Sequence, residues 1–324
     1  MTTQYIRLQP TVAEKWDIRQ LLDELVADPR LRRQDEFLER AHVVAQELPR
    51  RIREAFYRFK RKEDEPVLLV TDNPVLLDGV EPTPEGHPEL DSDYALNDAQ
   101  LLHGLYGALL GEPVGFTSQR NGSVYNNIIP LATHSNFGNS SAGSSRDFGF
   151  HVEDAFHPAR ADFLGLTCMR NEERAATTIS CVDGVALLPE EVDVLFQPRF
   201  RIAHNPIHST SDVVSEVAQP IFFGHPDRPY VRINAATLRI DDYDGIERQA
   251  LEKLLAHFAD NRLSVTLQSR DCIFVDNFRC VHARDAYAAL FGPRARWLSR
   301  VVFTSDLRKS RPMRASVHAR AIAA

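Results

Sequence analysis

The chain has few of the features that mark membrane, secreted or nucleic-acid-binding proteins. No apolar run approaches the ~20 residues needed to cross a membrane, and polar residues stand where a signal peptide would have its apolar core. The 324 residues include only four cysteines, and none form a C-x-x-C pair, which argues against a zinc ribbon or a disulfide framework. A net charge of -7 argues against broad binding to nucleic acids or anionic membranes. Together these absences predict a cytoplasmic protein with reduced thiols.

Helical periodicity dominates the first part of the chain, and a strand-like texture follows it. Apolar residues recur at helical spacing in three segments before residue 60, and Pro49 is expected to interrupt them. From residue 66 onward, short apolar runs such as PVLLV, FLGLTCM, CIFVDN and WLSRVVFT alternate with turn residues, which is typical of a β sandwich or barrel. Further helices are predicted at 98–110 and 246–258. We predict one domain over 1–324, with a helical part at about 1–65, a β core at about 66–310 and a tail at 311–324.

The stretch HVEDAFH (151–157) contains four possible metal ligands within seven residues. If it is a strand, His151 and Glu153 share one face and Asp154 points away. A third ligand must come from elsewhere, and His282 is the best candidate because it follows an apolar strand and a turn. Two histidines and one carboxylate that leave open positions are typical of non-haem Fe(II) oxygenases. On its own the H-x-E triplet is a weak indication, because such residues also occur at polar strand ends.

A predicted strand with two arginines, in GPRARWLSRVVFT, strengthens the metal hypothesis. Arg296 lies fourteen residues beyond His282, and Arg300 lies on the same side of the strand. A guanidinium binds carboxylates bidentately, so Arg296 could anchor the distal carboxylate of 2-oxoglutarate, whose keto acid end chelates iron. A lone arginine would be interpreted as part of a surface ion pair. The H-x-E triplet, the distant histidine and the arginine together favour an iron and 2-oxoglutarate site.

These motifs resemble the clavaminate synthase-like family of Fe(II)/2-oxoglutarate oxygenases, which includes asparagine, arginine and lysine hydroxylases. HVEDAFHPARADFLGLTCMRN is similar to the family's H-[TV]-E-x-A-[FY]-H motif and the strand after it, and AATTISCV to the following strand. VHARDAY and GPRARWLSRVVF are similar to the distal histidine and the twin-arginine strand, so the resemblance covers about 115–306. It implies a mainly β fold, a double-stranded β-helix (jelly roll) core with N-terminal and inserted helices.

The resemblance also implies the catalytic set. His151, Glu153 and His282 would be the iron ligands, and Arg296 would bind 2-oxoglutarate with help from Thr177. Iron, 2-oxoglutarate and O2 would then hydroxylate a C–H bond while 2-oxoglutarate becomes succinate and CO2. Related halogenases replace the carboxylate with a small residue, so the presence of Glu153 favours hydroxylation. A jelly-roll binding or sensor protein with a structural metal is the alternative, but it would need neither arginine.

The remaining implied contacts are to an amino-acid substrate. Arg300 would hold its carboxylate, Gln119 its backbone amine, and Ser141 and Glu153 would complete the site, although loop capping is the alternative role for Ser141. The Gly/Ser-rich run around Ser141 and the segment 205–220 are predicted to be lids. Three histidines are predicted to be loop residues rather than ligands: His204, His208 and His225. A fourth, His157, is predicted to support the ligands by hydrogen bonding.

The strand PYVRINAATL corresponds to the region that contacts the substrate side chain. The family's arginine hydroxylase has two acids there, and the matching positions here are Asn234 and Ala236. A buried cation without a carboxylate is costly, whereas Asn234 offers a donor and an acceptor to an amide or ureido group. We predict hydroxylation at C3 or C4 of a free, neutral polar L-amino acid, with citrulline favoured, in peptide metabolite biosynthesis. Arginine or lysine stays open if Asp241, Asp242 or Asp244 supplies an acid, and so does a desaturating or cyclising outcome.

Overall fold

The computed structural model describes residues 3–77, 82–90, 94–138, 141–202 and 217–323. The α-helices within these residues are α1 (Val12–Ala27), α2 (Gln34–Val44), α3 (Arg50–Lys62), α4 (Asp98–Ala108), α5 (Pro189–Leu195) and α6 (Gly245–Asp260). The break predicted at Pro49 is confirmed, since a short 3-10 turn separates α2 from α3. Helices α4 and α6 match the two predicted downstream helices. Helix α5 has no predicted counterpart.

Two helices begin with reciprocal caps that the sequence encodes locally. At the start of α1, the Thr11 hydroxyl accepts from the backbone N–H of Glu14, whose carboxylate accepts from the N–H of Thr11. Asn97 and Gln100 form the same arrangement at the start of α4. Each pair satisfies two donors that have no partner within the helix. These caps fix where the helices start relative to the sheets.

Short strands account for most of the remaining regular structure. In chain order they are β1 (Ile6–Leu8), β2 (Val67–Val70), β3 (Glu112–Phe116), β4 (Asn126–Ile128), β5 (Phe148–His151), β6 (Phe163–Arg170), β7 (Thr177–Cys181), β8 (Phe222–His225), β9 (Arg228–Val231), β10 (Leu263–Val265), β11 (Cys272–Asp276), β12 (Cys280–Arg284), β13 (Trp297–Thr304) and β14 (Ala321–Ile322). The larger sheet has the order β1-β2-β11-β6-β13-β3-β14, with β4 also paired to β13. The smaller sheet has the order β10-β7-β12-β5, and β8 and β9 form a separate hairpin.

The two sheets face each other across an apolar core. Leu164 and Leu166 of β6 belong to the same buried cluster as Ile179 of β7 and Cys280 of β12. Helices α1 to α4 cover the outer face of the larger sheet, and α5 and α6 cover the smaller sheet. The predicted mainly β class with a jelly-roll core and flanking helices is therefore confirmed. The four cysteines are buried free thiols, also as predicted.

The packing of α4 against the larger sheet is close. A Cβ atom on Gly107 would lie only 1.9 Å from the ring of Phe303 on β13. Glycine at this position lets the helix approach the strand that carries the two arginines of the predicted site. The position of β13 is thus fixed from behind by α4 and from its two sides by β6 and β3.

Both ends of the described chain contribute strands that the sequence did not predict. Strand β1 lies in the part predicted to be helical and pairs in parallel with β2, while β14 lies in the predicted tail and pairs in parallel with β3. Strands of two or three residues are too short to show an alternating pattern. Within the described residues, no helix is both long enough and apolar enough to span a membrane.

Candidate active site

A cavity opens between the two sheets. All nine residues that the sequence placed in the site line this cavity: Gln119, Ser141, His151, Glu153, Thr177, Asn234, His282, Arg296 and Arg300. Residues separated by up to 181 positions in the chain thus meet at one place.

Cross-strand pairing brings the two predicted histidine ligands together. His151 is the last residue of β5 and lies directly opposite His282 on β12, so that their ring centroids are 4.1 Å apart. An isolated bridge joins His151 to Asn234 on its other side. Directly opposed residues project to the same face of a sheet, which here is the face that borders the cavity. The sheet register alone therefore places both imidazoles at the cavity wall.

Glu153 reaches the same place by a different route from the one predicted. Strand β5 ends at His151, so the alternation of a strand does not extend to Glu153. Instead, the Glu153 backbone is held by Asn277, whose side-chain oxygen accepts from the Glu153 N–H at 2.8 Å. The Asn277 amide group also donates to the carbonyls of Glu153 at 3.2 Å and Ala161 at 2.9 Å. Asn277 was not among the predicted residues, although its place in a turn before β12 is a signal that could have pointed to it.

Asp154 is not among the residues whose ligand atoms come together, in agreement with its predicted exclusion from the metal ligands, although the reason given for that exclusion does not apply. Asp154 adopts a left-handed backbone conformation with φ of 52° in the turn after β5. It is buried and lines the cavity next to Glu153. The prediction assumed that the strand continues past His151, and the turn removes that alternation.

The geometry and protonation of the triad suit a metal ion. One nitrogen of His151, one nitrogen of His282 and one carboxylate oxygen of Glu153 all lie within 4.8 Å of one another. The nitrogen Nδ1 of His151 hydrogen-bonds the carbonyl of Gly149 at 2.8 Å, which leaves Nε2 for a ligand. Burial lowers the pKa of His151 to about 3, so its imidazole is neutral. Ligands bind metals in this unprotonated form.

The carboxyl of Glu153 is ionised despite its burial. Burial by itself raises its pKa, but the Arg300 guanidinium and the hydrogen bond to His282 outweigh burial and lower the pKa below its usual range. Its Oε1 lies 3.3 Å from Nε2 of His282, and its Oε2 accepts from Nη1 of Arg300 at 2.7 Å. An ionised carboxylate beside two imidazoles is the donor set that Fe(II) binds in facial-triad oxygenases.

The two arginines lie at different positions, one within β13 and one just before it. Arg300 lies in the middle of β13, and its Nη2 donates to the side-chain oxygen of Gln119 at 2.5 Å. Arg296 directly precedes β13 and is buried, with its backbone N–H bonded to Glu173 at 2.9 Å. The Nε of Arg296 is buried without a hydrogen-bond partner, which leaves it available to an anion. Both side chains thus face the cavity, as their spacing predicted.

The residues predicted to contact the substrate side chain have mixed outcomes. Asn234 is buried at the cavity wall, and its side-chain oxygen accepts from the N–H of Ala236 at 3.1 Å. The alternative acids Asp241, Asp242 and Asp244 are exposed and do not line the cavity. They lie in a solvated turn, so none of them supplies an acid to the cavity. Besides Glu153, the acid in the cavity lining is Asp154.

Other predicted histidines and lids lie outside the triad. His157 hydrogen-bonds the carbonyl of Ala323 at 2.9 Å and the N–H of Ala159, so it ties the turn after β5 to the C-terminal segment. His225 is exposed and is not a ligand of the triad, as predicted, but it is the last residue of β8 rather than a loop residue. Most of the predicted lid 205–220, with His204 and His208, lies outside the described residues, as do two residues of the Gly/Ser run, 139–140.

Comparison with known proteins places these features in a family. The model of the taurine catabolism dioxygenase TauD, TfdA family matches residues 67–302. Enduracididine beta-hydroxylase from Streptomyces hygroscopicus is 32% identical over 92% of this chain and 96% of its own length. The predicted resemblance to amino-acid oxygenases is thereby confirmed.

Two solved structures match nearly the whole chain. The non-heme iron oxygenase OrfP, in complex with Fe and alpha-ketoglutaric acid (2-oxoglutaric acid), has a TM-score of 0.85 at 30% identity and covers 98% of this chain and 100% of its own. OrfP was also solved with Fe, succinate and (3S)-hydroxy-L-Arg. Asparagine oxygenase, in complex with Fe(II), 2S,3S-3-hydroxyasparagine and succinate, has a TM-score of 0.88 at 26% identity and covers 98% and 99%. By the match of the family model to most of its length, the chain belongs to the taurine catabolism dioxygenase TauD, TfdA family.

Proposed function

We propose that the protein is an Fe(II)- and 2-oxoglutarate-dependent hydroxylase of a free L-amino acid with a neutral polar side chain, such as citrulline or another amide or ureido amino acid. It would hydroxylate an unactivated C3 or C4 carbon in the biosynthesis of a specialised peptide metabolite. The observation that carries the proposal is the meeting of a buried His-Glu-His set and two buried arginines in one cavity. Family membership and relatives that hydroxylate amino acids support the reaction class.

The metal ligands in this proposal are His151, Glu153 and His282. Bound iron supplies the oxidising chemistry, in which O2 is reduced while 2-oxoglutarate is oxidised to succinate and CO2. The protein holds the His151 imidazole neutral and the Glu153 carboxylate charged, so these two ligands need not lose a proton when the metal binds. Burial of all three ligands limits the access of water to the metal.

Each of the two arginines binds a different carboxylate, one on the cosubstrate and one on the substrate. Arg296, with Thr177 at the start of β7, binds the distal carboxylate of 2-oxoglutarate, because the Nε of Arg296 is buried and unbonded. Arg300 binds the carboxylate of the amino acid, and Gln119 and Ser141 contact its backbone amine and carboxylate region. Because Arg300 also bonds Glu153, the substrate anchor and a metal ligand share one guanidinium. This link fixes the distance from the substrate carboxylate to the metal.

The preference for a neutral side chain depends on Asn234. Its side-chain oxygen is already bonded to the Ala236 N–H, which leaves the amide NH2 group as the part that faces a ligand. An NH2 donor complements the carbonyl of an amide or ureido group, whereas a guanidinium or ammonium has no acceptor to offer it. The bridge between Asn234 and His151 places this donor beside the metal ligands.

A cationic amino acid, arginine or lysine, is the second candidate. The buried Asp154 carboxylate lines the cavity and could balance a positive side chain. OrfP, which is 30% identical to this chain, was solved with a hydroxylated arginine. A desaturating or cyclising oxidation of the same substrate remains a further alternative to hydroxylation.

The test is succinate formation and product mass with a panel of free and carrier-bound amino acids that compares citrulline, glutamine, asparagine, arginine and lysine. We expect the gain of one oxygen atom, with citrulline preferred over arginine. Loss of two hydrogens without gain of oxygen would indicate desaturation or cyclisation. No substrate-stimulated turnover with any amino acid would overturn the hydroxylase proposal.

Two matched variants separate the side-chain candidates. Asn234→Asp should shift preference toward arginine if Asn234 reads the side chain, because it replaces a donor with a carboxylate. Asp154→Asn should reduce arginine turnover selectively if Asp154 is the group that balances a cation. If the first variant leaves the citrulline-to-arginine ratio unchanged and the second abolishes arginine turnover, the cationic substrate class replaces the neutral one.

A further inference from the structure

Arg284 is a charged group in the cavity that the proposed function does not yet use. It lies two residues after His282 on β12, so both side chains project to the same face of the strand. The pairing of Ala283 with Thr178 places Arg284 next to Thr177 on the neighbouring strand. Arg284 is only 6% exposed and lines the cavity.

The hydrogen bonding of Arg284 is incomplete for a buried guanidinium. Its Nη1 donates to the carbonyls of Ser144 and Asp285, both at 3.4 Å, and its Nη2 to the carbonyl of Arg146 at 3.3 Å. These contacts are long and involve neutral acceptors. Its Nε is buried without any partner, and among the described residues no carboxylate forms an ion pair with it. A buried charge in this state is stabilised by an anion that completes its bonds.

Arg284 and Arg296 meet at one aromatic ring. Their guanidinium carbons lie 5.3 Å and 6.0 Å from the ring centroid of Tyr287. Each of the two arginines has a buried Nε with no hydrogen-bond partner. The nearby carboxylates Asp147 and Glu173 bond backbone groups rather than either guanidinium: Asp147 accepts from the N–H of Ala286, and Glu173 accepts from the backbone N–H of Arg296. Asp147 and Asp285 act on the Arg284 charge only through space.

We propose that Arg284 is a second guanidinium for the distal carboxylate of 2-oxoglutarate, which it binds together with Arg296 and Thr177. This inference rests on the proposed function, in which Arg296 and Thr177 already hold that carboxylate. A carboxylate has about four lone-pair positions, enough to accept from two guanidiniums and a hydroxyl. The anion also lies between two buried positive charges that otherwise repel each other.

Arg284 also contacts a loop, and the test must distinguish this role from binding of the cosubstrate. Its bonds to the carbonyls of Ser144 and Arg146 hold the loop that leads from Ser141 into β5. Loss of Arg284 could therefore disturb the site without any direct contact to the cosubstrate. A cosubstrate pair that differs only at the distal end distinguishes these effects. 2-Oxovalerate has the keto acid end and chain length of 2-oxoglutarate but no distal carboxylate.

The experiment measures dissociation constants of both keto acids for the Fe(II)-loaded protein without O2, by the visible absorption of the complex. We expect Arg284→Gln to raise the dissociation constant of 2-oxoglutarate by about 10–100-fold, which is the effect that the loss of charge-assisted hydrogen bonds has on binding. The dissociation constant of 2-oxovalerate should be almost unchanged. Arg284→Lys keeps the charge without the planar fork and should fall between the two. If the glutamine variant does not fold, the lysine variant tests the role of Arg284 instead. It should then lose at least ~3-fold of its affinity for 2-oxoglutarate and keep its affinity for 2-oxovalerate.

Equal weakening of both keto acids, or no weakening of either, would overturn the role of Arg284 and leave it as a loop anchor. Arg296→Gln is the control for the proposed function. If Arg296→Gln reduces the preference for 2-oxoglutarate and the Arg284 variants do not, only the inference about Arg284 fails. If neither arginine affects that preference, the cosubstrate site of the proposed function is wrong as well.

Discussion

Replacement of Asn277 by alanine should separate the stability of the protein from its affinity for metal. Asn277 is 1% exposed and makes three hydrogen bonds, two of them to the backbone of Glu153. At about 1 kcal/mol for each bond, Asn277→Ala should lower the free energy of unfolding by about 3 kcal/mol. Because Glu153 then loses the support of its backbone, metal affinity should also fall by about 10–100-fold, as it does when groups that orient metal ligands are removed.

Asn73→Ala is the matched control. Asn73 is also 1% exposed and also makes three hydrogen bonds, to the carbonyls of Val70 and Arg270 and from the hydroxyl of Tyr106, but it does not line the cavity. It should lose a similar free energy of unfolding and keep the metal affinity of the parent protein.

Urea denaturation of the metal-free proteins measures stability, and anaerobic competition for Fe(II) with a chelator measures affinity. Equal Fe(II) affinities for the two variants would refute the idea that Asn277 positions Glu153. A loss of affinity in both variants would show instead that general destabilisation weakens the site.

Two further predictions address charge. Arg300→Lys should raise the KM for the amino acid by at least ~10-fold and change the KM for 2-oxoglutarate little, because lysine cannot reproduce the fork that joins Gln119 and Glu153. Steady-state kinetics with each substrate varied in turn measures both KM values. An equal rise in both would contradict the prediction. Burial raises the pKa of Asp276 to about 7, against the effect of Arg279, so the folded state retains a proton and stability falls as pH rises from about 4 toward 7. Asp276→Asn should therefore gain stability relative to the parent between pH 5 and pH 8, and a constant difference in urea titrations at each pH would count against the assignment.

Residue type and spacing were enough to predict which residues meet in the cavity. His151, His282, Arg296 and Arg300 lie on or directly beside strands, where alternation relates spacing to facing. Their meeting in one cavity follows from strand pairing, which the apolar runs predicted in outline. The strand-by-strand register itself depends on contacts far apart in the chain, and no local pattern encodes it.

The failures occurred where the chain leaves regular structure. The turn after β5 ends the alternation from which the facing of Asp154 was predicted, because Asp154 itself adopts a left-handed conformation. Asn277 supports Glu153 from 124 positions away, and neither residue carries a local signal of that contact. The strands β1 and β14 form only because longer strands offer them an edge, so their residues look unstructured in isolation.

The arrangement of anchors suggests how the proposed enzyme would select a carbon. One end of the proposed substrate would bind Arg300, which bonds Glu153, and the other end would reach Asn234, which is bridged to His151. Both ends are therefore positioned relative to metal ligands rather than to mobile loops. A substrate whose length matches the separation of these two anchors has its middle carbons held next to the metal. Changes at Asn234 should therefore alter which carbon is oxidised as well as which amino acid binds. A shorter or longer side chain at position 234 would move one of the two anchors, and a different substrate carbon would then lie next to the metal.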